Sequence, residues 1–103
     1  MVSKSITHAL SDVTFERNRQ QVEEGYDKFS DDVYVNDELA LAAATYALPE
    51  RFRKNIHKAG DDDPCPTTWP WEAIFFKPGD RRSELVKAAA LLLAEIERID
   101  RCS

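Results

Sequence analysis

The run RRSELVKAAALLLAEIERIDR, residues 81–101, decides the fold. Leu85, Ala89, Leu92, Ile96 and Ile99 recur at alternating spacings of four and three, which is one face of an α-helix. Val86, Ala90, Leu93 and Ala94 widen that stripe, and so broad an apolar arc predicts the central helix of a small bundle. Asp80 is its expected N-cap. Arg81 and Arg82 then fall in the first turn, with Lys77 just before it, where the helix dipole is already positive and disfavours cations. Three cations there require a negative partner. Asp27, Asp31, Asp32 or Glu16 would supply it from inside the chain and pin the first helix to the last. Alternatively, the free N–H groups of the helix start join these side chains to hold an external anion.

Upstream, a first helix is expected from Ser5 or Thr7 to Glu24, ending at Gly25. Its stripe reads Ile6, Leu10, Val13, Arg17, Gln20, Glu24, apolar in the first half and polar in the second. Either the polar half emerges into water or it lines a polar cavity. GYDKFSDDVYVND (25–37) reads as a loop with aromatic anchors and a short extended piece at Val33–Val35. Asn36 caps a second helix, Asp37 to about Leu48, with Asp37 and Glu38 well placed in its first turn. Ala40, Ala42, Ala43 and Ala44 permit close packing there, and Pro49 ends it. PERFRKNIHKAG (49–60) suggests a short amphipathic helix through Phe52 and Ile56, and GDDDPCPTT (60–68) is an irregular connection. Trp69-Pro70-Trp71 opens an aromatic segment reaching Phe76, with Pro70 suited to the first turn of a short helix. No segment sustains period-two alternation. The expectation is an all-α or mainly α fold: three long helices in a small bundle, one or two short helices, and an aromatic-rich connection. Residues 1–103 form a single domain.

The composition, 43% hydrophobic and 32% charged, is that of a globular protein. A net charge of −5 argues against nucleic-acid binding. The acid is concentrated early, since residues 1–50 sum to −6 and residues 51–103 to +1. Cys65 and Cys102 show neither metal-ligand spacing nor a disulfide framework. The chain starts without a signal-peptide pattern, and the nearly uncharged run Ala88–Ala94 is far short of the ~20 residues a membrane span needs. These features predict a reduced, cytoplasmic protein without a membrane partner. The broad apolar third helix also admits a homo-oligomer.

Glu23, Glu24, Asp27, Asp31, Asp32, Asp37 and Glu38 form an acidic patch offset only by Lys28. Such carboxylates suit Mg²⁺, with Glu24, Asp31 and Asp32 as candidate ligands, or else they form a solvated acidic face. No other cofactor is implied. Arg17, Gln20, Lys77, Arg81 and Arg82 could grip an anion, with Glu16, Glu24, Asp31 and Asp32 as the acidic wall. Tyr26, Trp69 and Trp71 could stack on a planar ligand, or serve as plugs beneath the loops. His8 and His57 have no nucleophile beside them in sequence, and no phosphate loop or nucleophile elbow occurs. The reading leans away from an enzyme.

ERNRQQVEEGYDKFSDD (16–32), ELALAAATYAL (38–48), WPWEAIFFKP (69–78) and RRSELVKAAALLLAEIERIDR (81–101) together resemble a family of small phage and prophage proteins. The family pattern has His before the paired aspartates, where this chain has Ser30, so no role of that histidine carries over. The layout is also similar to two nucleotide-handling groups. One is the all-α nucleotide pyrophosphohydrolases, whose ExxE spacing is missing here. The other is the small ryanodine-receptor-repeat-like domains, among them phage proteins that sequester signalling nucleotides. The family resemblance is itself silent on function; the stripe that turns polar, the cations at 77–82 and the layout analogy lead to the expectation of a phage-type, host-cytoplasmic protein that captures a small anionic, nucleotide-like ligand to counter host defence. Two alternatives stand beside it: an acidic inhibitor that binds a host protein, and a Mg²⁺-dependent nucleotide pyrophosphohydrolase.

Overall fold

The computed structural model describes residues 2–23, 33–60 and 62–102. Among the described residues there are three α-helices, α1 (Val2–Glu23), α2 (Glu38–Ala47) and α3 (Arg81–Arg101). α3 is the central element, with α2 packed along one flank and α1 along another. The expected mainly helical bundle is what the chain forms. Gly25, the expected terminator of α1, lies outside the described residues.

The face of α3 that enters the core is not the face with the bulkiest side chains. Buried on α3 are Glu84, Ala88, Ala90, Leu91, Ala94 and Glu95. Leu85, Leu92, Ile96 and Ile99, expected in the core, are 45, 48, 55 and 50% exposed. The reason lies in the partners. α2 offers the small residues Ala42 and Ala43 beside Leu39 and Tyr46, and the core joins these to Ala88, Leu91 and Ala94 of α3. Small residues on both sides suit close helix packing, and the two buried glutamates are neutralised by arginines.

α2 starts one residue later than expected. Asp37, not Asn36, is its N-cap, with φ 66° in the left-handed region and no side-chain cap bond. The Glu38 carboxylate instead reaches back and accepts the Asn36 N–H at 2.7 Å. After Pro49 the chain makes only a 3₁₀ turn, Glu50–Phe52. Ile56 belongs not to a helix but to a two-residue strand, β1 (Asn55–Ile56), paired antiparallel with β2 (Cys65–Pro66), Ile56 opposite Cys65. Lys58 then secures the next connection by donating from Nζ to the carbonyls of Trp69 and Trp71, the latter at 2.8 Å.

The segment after Trp69 is also a single 3₁₀ turn, Ala73–Phe75, and starts past Pro70. Its aromatic neighbours fill the space between the α2 end and the α3 start. Trp69 meets Tyr46 and Trp71 edge-on at centroid distances of 5.4 and 5.3 Å, and Phe76 stacks on Tyr46 at 5.2 Å. Edge-to-face and offset geometries of this kind are the favoured ones for rings. The Trp69 indole N–H donates to Glu72 O at 3.0 Å, so its polar atom is satisfied inside the cluster.

Candidate functional site

Two groups of polar side chains deserve separation, one at the start of α3 and one where α1 crosses α3. At the first, Asp80 caps α3 as expected: its carboxylate accepts the Ser83 N–H at 3.2 Å and the Ser83 hydroxyl at 2.6 Å. The Ser83 hydroxyl, then its N–H, hold the Asp80 carboxyl below the usual range. Arg81 turns away from its own helix end and toward another. It donates to Tyr46 O at 3.2 Å and to Ala47 O. These are carbonyls of the last turn of α2, the negative pole of that helix.

Arg53, which the sequence did not single out, works beside it. Its Nε donates to Thr45 O at 2.9 Å and Nη2 to Tyr46 O at 3.1 Å. The same guanidinium grips Glu84 with both nitrogens, at 3.0 and 3.4 Å, the two side chains being 4 and 6% exposed. Burial pushes the Glu84 carboxyl up, but the Arg53 hydrogen bonds, the Gly79 N–H and the charges of Arg53 and Arg81 outweigh it and leave it below its ordinary value. The start of α3 is thus a closed electrostatic joint. Arg82 pairs with Asp12 of α1 at 2.7 Å on the surface, rather than with Glu16. Lys77 contributes through its backbone: its N–H donates to the Tyr46 hydroxyl at 2.9 Å and its carbonyl accepts Lys87 Nζ at 2.7 Å. Trp69 is buried among protein rings, and Trp71 is half-buried against Tyr34 and Trp69.

At the second group, the stripe of α1 has the reverse burial from that expected of its apolar half. Ile6 and Leu10 are more than half exposed, whereas Arg17 and Gln20 are 5 and 2% exposed. The polar half is the half that is covered. Arg17 Nε donates to Glu97 Oε1 of α3 at 3.3 Å. Gln20 Nε2 donates to Glu16 Oε2 at 3.1 Å, and Glu16 also accepts two hydrogen bonds from the Arg19 guanidinium. Gln20 Oε1 is buried and accepts no hydrogen bond from a described residue. Glu95, likewise buried, is held by Arg98 at 2.6 and 3.1 Å.

Next to this cluster an open groove of about 730 Å³ runs between α1 and α3. Thr7, Ser11, Asn18 and Gln21 line its α1 wall, Leu93 and Glu97 its α3 wall, and Arg17 reaches it from the covered side. The groove therefore offers hydroxyl, amide and guanidinium groups beside the apolar side chains Leu10, Phe15 and Leu93. Asn18 and Gln21 were not foreseen; their signal was a position one residue after Arg17 and Gln20, on the neighbouring strip of the helix.

Glu24, Tyr26, Asp31 and Asp32, including all three candidate Mg²⁺ ligands, lie outside the described residues. Among the described residues no group of three or more His, Cys, Asp or Glu converges on one point, and no helix is long and apolar enough to cross a membrane. Comparisons with protein-family models, with curated proteins and with solved structures return no match.

Proposed function

We propose that this protein is a non-catalytic binding module that takes a small, negatively charged polar ligand beside Arg17, in the groove between α1 and α3. One observation carries the reading: the polar half of the α1 stripe is the buried half, so Arg17 lies against a groove whose α1 wall adds the hydroxyls and amides of Thr7, Ser11, Asn18 and Gln21. Arg17 supplies the charge. Its contact with Glu97 is a long one, 3.3 Å, and the Glu97 side chain is 39% exposed, so a ligand phosphate or carboxylate would replace it on the guanidinium. The phage-type sequence pattern makes nucleotide-like ligands of host defence the first class to try.

The closed joint at the start of α3 narrows the grip expected from sequence, because Arg81 is engaged with the end of α2. Titration calorimetry with linear and cyclic nucleotides and with inorganic phosphate tests the proposal. Binding should weaken at least about tenfold in Arg17→Met, the loss of one charge-assisted hydrogen-bond set. It should strengthen in Glu97→Gln, which removes the competing carboxylate. Affinity that ignores both substitutions, or no heat with any ligand, overturns the reading.

A further inference from the structure

Beside the stripe that holds Arg17, α1 carries a second row that is polar but uncharged. Thr7, Ser11, Thr14, Asn18 and Gln21 recur at spacings of four, three, four and three, along a single face of the helix. All five line the groove between α1 and α3. Thr14 donates to Leu10 O at 2.9 Å and keeps its acceptor lone pairs. Ser11, Asn18 and Gln21 make no side-chain hydrogen bond to a described residue. At a rise of about 1.5 Å per residue, the row from Thr7 to Asn18 is about 16 Å long.

Charge in the groove is sparse. Of its lining residues only Arg17 and Glu97 are charged, and they meet at 3.3 Å, so the lining is neutral as a whole. Arg17 stands beside Asn18, toward one end of the polar row. Its guanidinium can hold one anionic group in place of Glu97. A second negative charge would find no cation among the lining residues and would sit near Glu97, in a chain whose net charge is already −5. The rest of the wall is hydroxyls and amides, which both donate and accept. Beside them lie the exposed ring of Phe15 and the exposed side chain of Leu10. Such a wall matches a body of hydroxylated rings, whose O–H groups exchange hydrogen bonds with the row while an apolar ring face rests on Phe15.

Resting on the ligand groove proposed for Arg17, we infer that the ligand is an elongated, hydroxyl-rich monoanion. Its single charge sits at Arg17, and its uncharged body runs along α1 toward Thr7. Two sources share this chemistry, a saccharide bearing one carboxylate and two nucleosides joined by one phosphodiester.

Titration calorimetry with a matched series reads the charge rule. For one nucleoside, the cyclic monophosphate, with one charge, should bind several-fold more tightly than the triphosphate. A dinucleoside monophosphate and a trisaccharide with one uronate separate the two sources, and at least one of them should bind more tightly than the cyclic mononucleotide. Asn18→Ala, at an exposed position, should weaken every ligand about two- to tenfold, the loss of one hydrogen bond. Thr7→Val, at the far end of the row, should weaken only the long ligand, by a similar factor. Affinity that rises with the number of phosphates, no gain from the longer body, or a long ligand indifferent to Thr7→Val overturns this inference. If Arg17→Met still weakens binding in those cases, the groove reading stands without it; if Arg17→Met has no effect, both fall.

Discussion

Replacing Arg53 by Met should destabilise this protein more than any change to its surface charges. Arg53 and Glu84 form a buried, two-pronged ion pair, and the same guanidinium also satisfies Thr45 O and Tyr46 O. Removing one member of a buried pair leaves the other charge without compensation, at a cost of about 3–5 kcal/mol. Arg81 remains 3.6 Å from Glu84 and still bonds Tyr46 O, which favours the lower end of that range. Domains of this size have a total stability of about 5–15 kcal/mol, so the loss is a large fraction of it. At roughly 4 °C per kcal/mol the melting temperature should fall by about 12–20 °C. Urea unfolding followed by tryptophan fluorescence reads the change, because Trp69 is buried beside the joint. The double variant Arg53→Met/Glu84→Met should recover part of the loss, since two apolar side chains replace an ion pair at little cost. Acid should also narrow the difference. The Glu84 carboxyl lies below its ordinary value of 4.5 in the native protein, so its contribution is present above that value and is lost as pH falls through the native pKa. A single-variant loss under about 1 kcal/mol, typical of exposed pairs such as Arg82–Asp12, would refute the reasoning. So would strictly additive losses in the double variant.

Three further outcomes are expected from the same unfolding assay. Arg81→Ala should cost about 1–2 kcal/mol by releasing the carbonyls of Tyr46 and Ala47, and Arg81→Lys should recover only part of it, because an ammonium cannot fork between two acceptors. Asp80→Ala should cost about 1 kcal/mol at neutral pH; since the native carboxyl is held below 3.8, the wild type should lose this advantage as acid takes it through that lowered pKa. Asp37→Gly should raise stability by about 0.5 kcal/mol, because glycine adopts φ 66° without the penalty borne by a side chain.

The local features of this fold were legible in the sequence. The helix at 81–101 and its Asp80 cap follow from spacing and from a carboxylate three residues before the Ser83 N–H that donates to it, both short-range signals. What hydropathy did not reveal was which face of α3 turns inward. Size alone favoured Leu85, Leu92, Ile96 and Ile99, whereas burial of Glu84 depends on Arg53, a loop residue 31 positions away. The role of Arg81 was hidden for a related reason. Its acceptors are main-chain carbonyls, which carry no residue-specific signature. The two-residue strands β1 and β2 are too short to show a period of any kind. For the candidate site, the polar turn of the α1 stripe at Arg17 and Gln20 was visible, but its burial depends on where α3 lies and could not be read from α1 itself.

The dual arginine hold on α2 has a consequence for how the molecule opens. α2 is ten residues long, too short to persist alone in water. Its final carbonyls are held by Arg53 from the turn that follows it and by Arg81 from a helix that begins more than thirty residues later. Its last turn therefore lacks one of its two holders, Arg81, until the start of α3 has docked. Amide protons along α2 and the first half of α3 should exchange with solvent in one concerted opening event, while those near the exposed start of α1 exchange independently and sooner. A chain cut before Arg81 would keep every residue of α2 and lose the helix.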